Sequence, residues 1–191
     1  YNLTFLYSDF YIKENINLVC RMTPKIKNFI FIGDGRQSNQ TNDWLIRQEL
    51  KKNYPEVNYR FLSPQQLSAN ELLDTLYTID PQTTGILFSS WIYKRSFAGN
   101  TSLVTNFHQL IATAPVPLFT IGMVTVKDTA GGMLGGYVFD QDQYNRNVVN
   151  YLSLVLSGSK ASDIPFYLPA DGAPVLNYSV LLRKGLSLDL C

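Results

Sequence analysis

Short apolar runs alternate along the chain with longer stretches in which apolar residues recur every three or four positions. Runs of the first kind predict strands, and stretches of the second kind predict helices. The predicted strands are residues 3–7, 29–32, 57–62, 85–88, 118–121 and 135–139. The predicted helices are residues 12–23, 39–53, 68–80, 101–113, 141–157 and 178–184.

Residues at the ends of these segments fit helix termini. Ser68 and Glu71 have the spacing of a capping box, and Ser38 or Asn39 suits the N-cap of the second helix. Gly158 stands where a C-terminal glycine is common. In the helix before it, we expect one buried face made of Tyr144, Val148, Tyr151, Leu152 and Val155.

This alternation is typical of a parallel sheet covered by helices on both faces. We therefore predict an α/β fold, a three-layer Rossmann-like lobe whose mostly parallel sheet has about five strands. Residues 1–158 form the lobe. Residues 159–191, rich in Pro, Gly, Ser and Asp, predict an irregular tail with one short helix that packs on the lobe or crosses to another lobe.

Composition and charge argue against several classes of protein and do not by themselves identify a function. Hydrophobic residues make up 46% and charged residues 16% of the 191 positions, which favours a folded core over disorder. The net charge of +1 gives no indication of a nucleic-acid partner. No apolar run reaches the roughly 18 residues of a membrane helix. The chain begins at Tyr1 within a strand-like stretch and without a signal peptide, which suggests a piece of a longer protein.

Ligands of parallel sheets bind beyond the carboxyl ends of the strands. The loops at these ends are residues 33–39, 89–100, 122–134 and 140–144. The first loop, Gly33-Asp34-Gly35-Arg36-Gln37-Ser38, half-matches the glycine fingerprint of dinucleotide-binding proteins. The second predicted strand ends without the carboxylate that would hold a ribose, and no Gly-Lys-Ser/Thr follows, which excludes a P-loop.

A simpler interpretation of the first loop is a turn. Gly33 and Gly35 would then supply positive φ, and the polar residues would cap the next helix. This interpretation leaves Arg36, Gln37, Ser38 and Asn39 to face a ligand.

The chain offers little for catalysis or for metal binding. His108 is the one histidine, and it lies in the middle of a predicted helix away from the loops. The aspartates near strand ends, Asp34, Asp128, Asp140 and Asp142, show no spacing that marks an acid–base pair. Cys20 and Cys191 define no disulfide framework. We expect no cofactor and no enzyme activity.

The segment after the 85–88 strand combines hydroxyls with aromatic rings. Ser89, Ser90, Trp91 and Tyr93 suit a flat or apolar ligand that stacks on the rings while the hydroxyls orient it. Packing of Trp91 under the next helix is an equal alternative. The glycines at 131, 132, 135 and 136 predict either a hinge or a long turn.

Four stretches, spread between residues 18 and 188, share a family pattern. They are LVCRMTPKIKNFIFIGDGRQSN (18–39), DPQTTGILFSSWIY (80–93), APVPLFTIGMVTVKDTAGGMLGGYVFDQDQYNRNVVNYL (114–152) and LSGSKASDIPFYLPADGAPVLNYSVLLRKGLSL (156–188). In this order they resemble the C-terminal half of ABC-transporter substrate-binding proteins with the type I periplasmic-binding-protein fold. The last stretch is the most specific match.

The resemblance implies that two α/β lobes close on a small ligand, and that an N-terminal lobe precedes Tyr1. Carried over by position, it implies a ligand-binding set within this chain. That set is Asp34, Gly35, Arg36, Gln37, Ser38, Asn39, Ser89, Ser90, Trp91, Tyr93, Met123 and, near the cleft rim, Asp140.

Two departures affect the function that the resemblance implies. Gly185 is followed by Leu186-Ser187-Leu188-Asp189, whereas transport members usually carry Ile-Pro after the final Gly-Leu, and Asn145 or Arg146 replaces a glycine. Divergent copies of the fold serve as input domains of sensor histidine kinases, often hybrid ones. The departures favour such an extracytoplasmic sensor domain of a two-component system over the transporter alternative, and a nucleotide-dependent enzyme is a third, weaker interpretation.

The expected ligand is an amino-acid-like or sugar-like molecule, and Arg36 suits a carboxylate. We expect the protein to lie on the periplasmic or extracellular side of a bacterial inner membrane, with a membrane anchor elsewhere in the full-length protein. Whether it forms homodimers is left open by the sequence.

Overall fold

A computed structural model describes residues 10–94, 101–102, 113–122, 126, 132–164 and 171–186. The strands are β1 Asn28–Ile32, β2 Asn58–Leu62, β3 Thr84–Phe88, β4 Tyr93–Lys94, β5 Thr101–Ser102, β6 Leu118–Thr120, β7 Gly135–Phe139 and β8 Gly172–Leu176. The α-helices are α1 Ile12–Met22, α2 Gln37–Asn53, α3 Ala69–Thr78, α4 Gln141–Leu156 and α5 Tyr178–Arg183. A 3-10 turn spans Ala161–Asp163.

Six of these strands form one sheet in the order β2-β1-β3-β6-β7-β8. The first five run parallel, and β8 pairs antiparallel with β7. The predicted fold class, an α/β lobe with a mostly parallel sheet, is confirmed. The predicted strand at 3–7 and most of the predicted helix at 101–113, including His108, lie outside the described residues. Thr101–Ser102, predicted as helix, pair antiparallel with β4 instead.

The apolar runs form strands because both faces of the sheet are covered. Phe29 and Phe31 of β1 pack on one face with α1, α2 and α5, whereas Ile30 and Ile32 pack on the other face with α3. Burial of β1 from Phe29 onwards explains why its sequence is a continuous apolar run rather than an alternating one. None of the helices in the described part of the chain has the length and apolarity to cross a membrane.

The prediction of an irregular tail after residue 158 is wrong in part. Residues Gly172–Leu176 form the edge strand β8, although they contain glycine and proline. Pro174 is tolerated because an edge strand leaves one side of its backbone unpaired. The short helix of the tail is confirmed as α5, and Gly185 follows it with a φ of 64°.

The helix termini agree with the sequence at two places and differ at a third. Ser68 Oγ accepts a hydrogen bond from the Glu71 amide at 3.3 Å, and the Glu71 carboxylate accepts one from the Ser68 amide at 2.7 Å, which confirms the capping box. Gly158 has a φ of 90° just after α4, as a C-terminal glycine requires. The prediction of Ser38 or Asn39 as N-cap of α2 is wrong, because the helix starts at Gln37 and its N-cap is Arg36, which provides no side-chain cap.

The predicted buried face of α4 is also wrong. Tyr151 is buried, but Leu152 and Val155 are 56% and 47% exposed. The helical period of the sequence is correct, yet α4 contributes no residue to either core cluster in the described part of the chain. Periodicity predicts a helix, but it does not show whether another element covers the apolar side.

Candidate functional site

The path of the chain creates a crevice between β1 and β3. From β1 the chain passes through α2 to β2 on one side, and it returns through α3 to β3 on the other side of β1. The loops that leave the carboxyl ends of β1 and β3 therefore diverge toward opposite faces of the sheet. Such a switch point in the strand order is where parallel α/β sheets bind ligands.

Four polar side chains meet across this crevice. The Asp34 carboxylate accepts hydrogen bonds from Arg36 Nε at 2.9 and 3.1 Å, from Asn39 Nδ2 at 2.8 Å and from Ser90 Oγ at 2.7 Å. Arg36 Nη2 and Asn39 Nδ2 in turn donate to Ser90 Oγ at 2.7 and 2.9 Å. We call Asp34, Arg36, Asn39 and Ser90 the switch-point cluster. It ties the first loop to the loop after β3.

The members of the cluster differ in burial, because two side chains are enclosed and the Arg36 side chain is exposed. Asp34 and Asn39 are each only 1% exposed. The Arg36 side chain is 56% exposed, although its Nε is fixed by the buried carboxylate. The cluster therefore holds a cationic group at the surface of the crevice in a defined orientation.

The charge state of Asp34 follows from two opposing effects. Burial by itself would raise the pKa of Asp34, because it removes the carboxylate from water. Hydrogen bonds from Arg36, Ser90 and Asn39 outweigh burial and hold the pKa below its ordinary value. At neutral pH the carboxylate is therefore charged and paired with Arg36.

Both glycines of the first loop lie close to neighbouring side chains. An added Cβ at Gly33 would lie 3.1 Å from Cγ of Asn39, and one at Gly35 would lie 2.1 Å from Nε2 of Gln65. The predicted need for positive φ at these glycines is wrong, since in the described part of the chain only Gly158 and Gly185 are glycines with positive φ. Close approach of neighbouring side chains explains them instead.

The other predicted residues of the first two loops fall into different settings. Gly35, Gln37 and Ser38 are exposed next to Arg36 at the start of α2. The Ser89 amide donates to the Ile32 carbonyl at 2.9 Å, and its side chain is half-buried. Trp91 is 6% exposed and packs with β1, β3 and α3 in the core, whereas most of the next helix, under which its packing was the alternative, lies outside the described residues.

Three predicted residues lie apart from the switch-point cluster or outside the description. Asp140 is the N-cap of α4, where it accepts hydrogen bonds from the amides of Asp142 and Gln143 at 2.9 and 3.0 Å. It follows β7, which β3 and β6 separate from β1. Met123 and the side chain of Tyr93 lie outside the described residues.

One neighbour of the site was absent from the sequence prediction. Gln65 lies against Gly35, in the turn that follows β2. The signal was available, because β2 also ends at the carboxyl edge of the sheet, yet the loop after it was not included among the candidates.

Metal ligands do not cluster in the described residues. This part of the chain contains no group of three or more His, Cys, Asp and Glu side chains suited to a metal ion. Burial raises the pKa of the Cys20 thiol to about 11, so it is protonated at neutral pH. Grooves of about 210 and 500 Å³ lie at the opposite, amino edge of the sheet, lined in part by Thr83 and by Pro117. The switch-point cluster lies at the carboxyl edge, where parallel sheets bind ligands, which fits one wall of a binding site.

Comparison with known proteins defines the fold. No protein-family model matches the chain, and no curated protein matches its sequence. A solved structure described as an ABC domain in complex with L-Trp, from Streptococcus pneumonia, superposes with a TM-score of 0.72 at 17% identity. The match covers 98% of this chain and 61% of that one.

Two further structures are similar. A substrate-binding protein with adhesive properties from Clostridium difficile, in its ligand-free open form, gives a TM-score of 0.62 at 13% identity, over 91% of this chain and 55% of that one. A 5-methylthioribose transporter solute-binding protein from Thermotoga lettingae, in complex with 5-methylthioribose, gives a TM-score of 0.58 at 11% identity. That match covers 98% of this chain and 60% of the other one.

The chain thus has the fold of substrate-binding proteins of ABC transporters, the type I periplasmic-binding-protein fold, as the resemblance implied. The chain spans less than two thirds of the length of these three structures, namely 61%, 55% and 60% in the order given.

Proposed function

We propose that this chain forms one wall of the ligand cleft in a two-lobed solute-binding protein of an ABC transporter. The observation that carries the proposal is the switch-point cluster, which presents Arg36 at the carboxyl edge of the sheet. The fold shared with solute-binding proteins supports it. The second wall belongs to the part of such proteins that this chain does not span.

The mechanism we propose is lobe closure. A ligand that contacts both lobes has a higher affinity for the closed form and shifts the population toward it. On this lobe the exposed residues at the start of α2, Arg36, Gln37 and Ser38, make the contacts. Asp34, Asn39 and Ser90 keep their orientation unchanged between the open and closed forms, because their hydrogen bonds lie within the lobe.

The proposal is for binding without turnover. The polar groups of the site are held by one another in a closed network, and Asp34 is a charged, paired carboxylate rather than an acid with a raised pKa. The similar structures named above are binding proteins. The cellular location that follows is outside the cytoplasmic membrane, where solute-binding proteins meet their ligands.

A sensor histidine kinase domain is the second candidate. The lack of Ile-Pro in the run Leu186-Ser187-Leu188-Asp189 after Gly185 favours it. The similar structures are described as substrate- or solute-binding proteins, and this favours the transporter. The gene decides between them: a membrane helix and kinase core after Cys191 supports the sensor, whereas neighbouring permease and ATPase genes support the transporter.

The test of the proposed function is ligand binding by the full-length protein. Isothermal titration with L-amino acids and small sugars should give at least one saturable ligand, and mass spectrometry should recover that ligand unchanged after prolonged incubation. Conversion of the ligand into a product would contradict the proposal. Failure of every probe to bind would contradict it as well.

A further inference from the structure

The donors and acceptors of the switch-point cluster are unequally available. The Asp34 carboxylate receives five hydrogen-bond contacts, from the amide of Arg36, twice from Arg36 Nε, and from Asn39 and Ser90. A carboxylate has about four lone-pair sites, so these contacts saturate it. With Asp34 only 1% exposed, no acceptor remains there for the ammonium group of a ligand.

Arg36 retains donors that the cluster does not use. A guanidinium has about five N–H groups. Its Nε is held by Asp34, and Nη2 donates to Ser90 Oγ at 2.7 Å. In the described part of the chain no hydrogen bond involves Nη1. The remaining N–H groups belong to a side chain that is 56% exposed, so they are accessible from solvent.

The backbone adds hydrogen-bond donors beside the exposed guanidinium group of Arg36. Arg36 is the N-cap of the 17-residue helix α2, which has no acidic residue in its first turn and no side-chain cap. The first N–H groups of such a helix lack intrahelical partners and favour negative charge. The exposed surface at this point therefore offers donors and positive potential.

We propose that this surface binds the carboxylate of an organic acid, with the Nη groups of Arg36 as the bidentate contact. The inference rests on the proposed function and names the ligand class of the same site. Arg36 is the binding residue, and Asp34, Asn39 and Ser90 are positioning residues that fix its plane. A carboxylate fits better than a dianionic phosphate, because Asp34 already balances the charge of Arg36 and repels a second negative charge nearby.

The experiment compares acids with their neutral counterparts on the full-length protein. The probes are each L-amino acid with its carboxamide, and gluconate with glucose, measured by thermal shift and then by isothermal titration. The best ligand should be an acid, and its neutral counterpart should bind at least about 10-fold more weakly, because the charge-assisted bidentate contact is lost.

Matched variants locate the contact. Arg36→Gln should reduce the preference for the acid over its neutral counterpart to within about 3-fold, whereas Arg60→Gln, an exposed arginine on β2, should keep it. Ser90→Ala leaves Arg36 in place but removes the hydrogen bond to Nη2. It should lower the acid-to-neutral ratio while the melting temperature without ligand stays within a few degrees of wild type.

The outcomes separate this inference from the function on which it rests. If the tightest ligand is a neutral sugar, or if Arg36→Gln keeps the preference for acids, the carboxylate site is overturned while solute binding stands. A preference for phosphate monoesters over carboxylates would overturn it too. If no probe binds to wild type or to Arg60→Gln, both the inference and the proposed function fail.

Discussion

At the scale of single residues, the site depends on one buried charge. Asp34 stays ionised inside the protein because Arg36, Asn39 and Ser90 replace the water that burial removes. An unpaired charge at this depth would neutralise or destabilise the fold. The same contacts that stabilise Asp34 fix Arg36, so stability and ligand recognition share the same atoms.

The substitution Asp34→Asn measures how much the ionised carboxylate stabilises the fold, because that contribution depends on pH. The folded-state pKa of Asp34 lies below its ordinary value, so its contribution to stability is present above the unfolded-state pKa and is lost as the pH falls through the folded-state pKa. At pH 7 the substitution should cost about 1–3 kcal/mol, because it weakens hydrogen bonds to a charged group. Below about pH 4 the difference in unfolding free energy between wild type and variant should shrink.

Urea unfolding at a series of pH values from neutral to acid measures this difference. The exposed Asp74→Asn on α3 is the matched control at pH 7, and it should change the free energy of unfolding by less than about 0.5 kcal/mol. A difference between wild type and Asp34→Asn that stays constant down to pH 3 would show that Asp34 does not titrate as an ion-paired carboxylate.

The sequence located the loop of the site but not its contacts. Glycines and polar residues after an apolar run marked residues 33–39 as a strand-end loop. The partner Ser90 lies 56 positions from Asp34, and no local pattern specifies that the two meet. Their contact follows from the adjacency of β1 and β3, which depends on the whole sheet order.

At the scale of elements, the local sequence pattern again predicts some strands and helices correctly and misses features that depend on contacts with other elements. The strands buried on both faces were predicted, because continuous apolar runs are a strong signal. The edge strand β8 was missed, since Gly172 and Pro174 have low strand propensity and pairing with β7 decides the outcome. In α4 the predicted helical period was correct, but the predicted burial of its whole apolar face was not, because burial depends on what packs against the helix.

The close packing of β7 against β6 gives a prediction at this scale. A Cβ added at Gly136 would lie 1.8 Å from the carbonyl oxygen of Thr120, so β6 and β7 would have to move apart. Gly136→Ala should therefore destabilise the protein by about 3 kcal/mol or more. The measurement is the midpoint and slope of denaturant unfolding.

Gly35→Ala is the matched control for Gly136→Ala. Its added Cβ meets the end of the flexible Gln65 side chain, at 2.1 Å from Nε2, and that side chain can move. The cost should stay below about 1 kcal/mol. Equal costs for the two substitutions would mean that the approach of β7 to the Thr120 carbonyl is not a constraint on the fold.

At the scale of the whole molecule, strand order determines where function is placed. The reversal between β1 and β3 brings the loops from distant parts of the sequence to one edge, and the core clusters on both faces hold them there. The polar groups of the site lie at this edge, where the Arg36 side chain is 56% exposed, and one lobe supplies only half of such a site. Such a half-site needs a second wall, and this is the reason we propose lobe closure.

Small-angle X-ray scattering of the full-length protein, with and without its tightest-binding ligand, tests this central claim most directly. The account predicts that the radius of gyration falls at saturating ligand, because the lobes close over the switch-point cluster, and that Arg36→Gln needs more ligand for the same change. Identical scattering curves at full occupancy of the wild-type protein would contradict it.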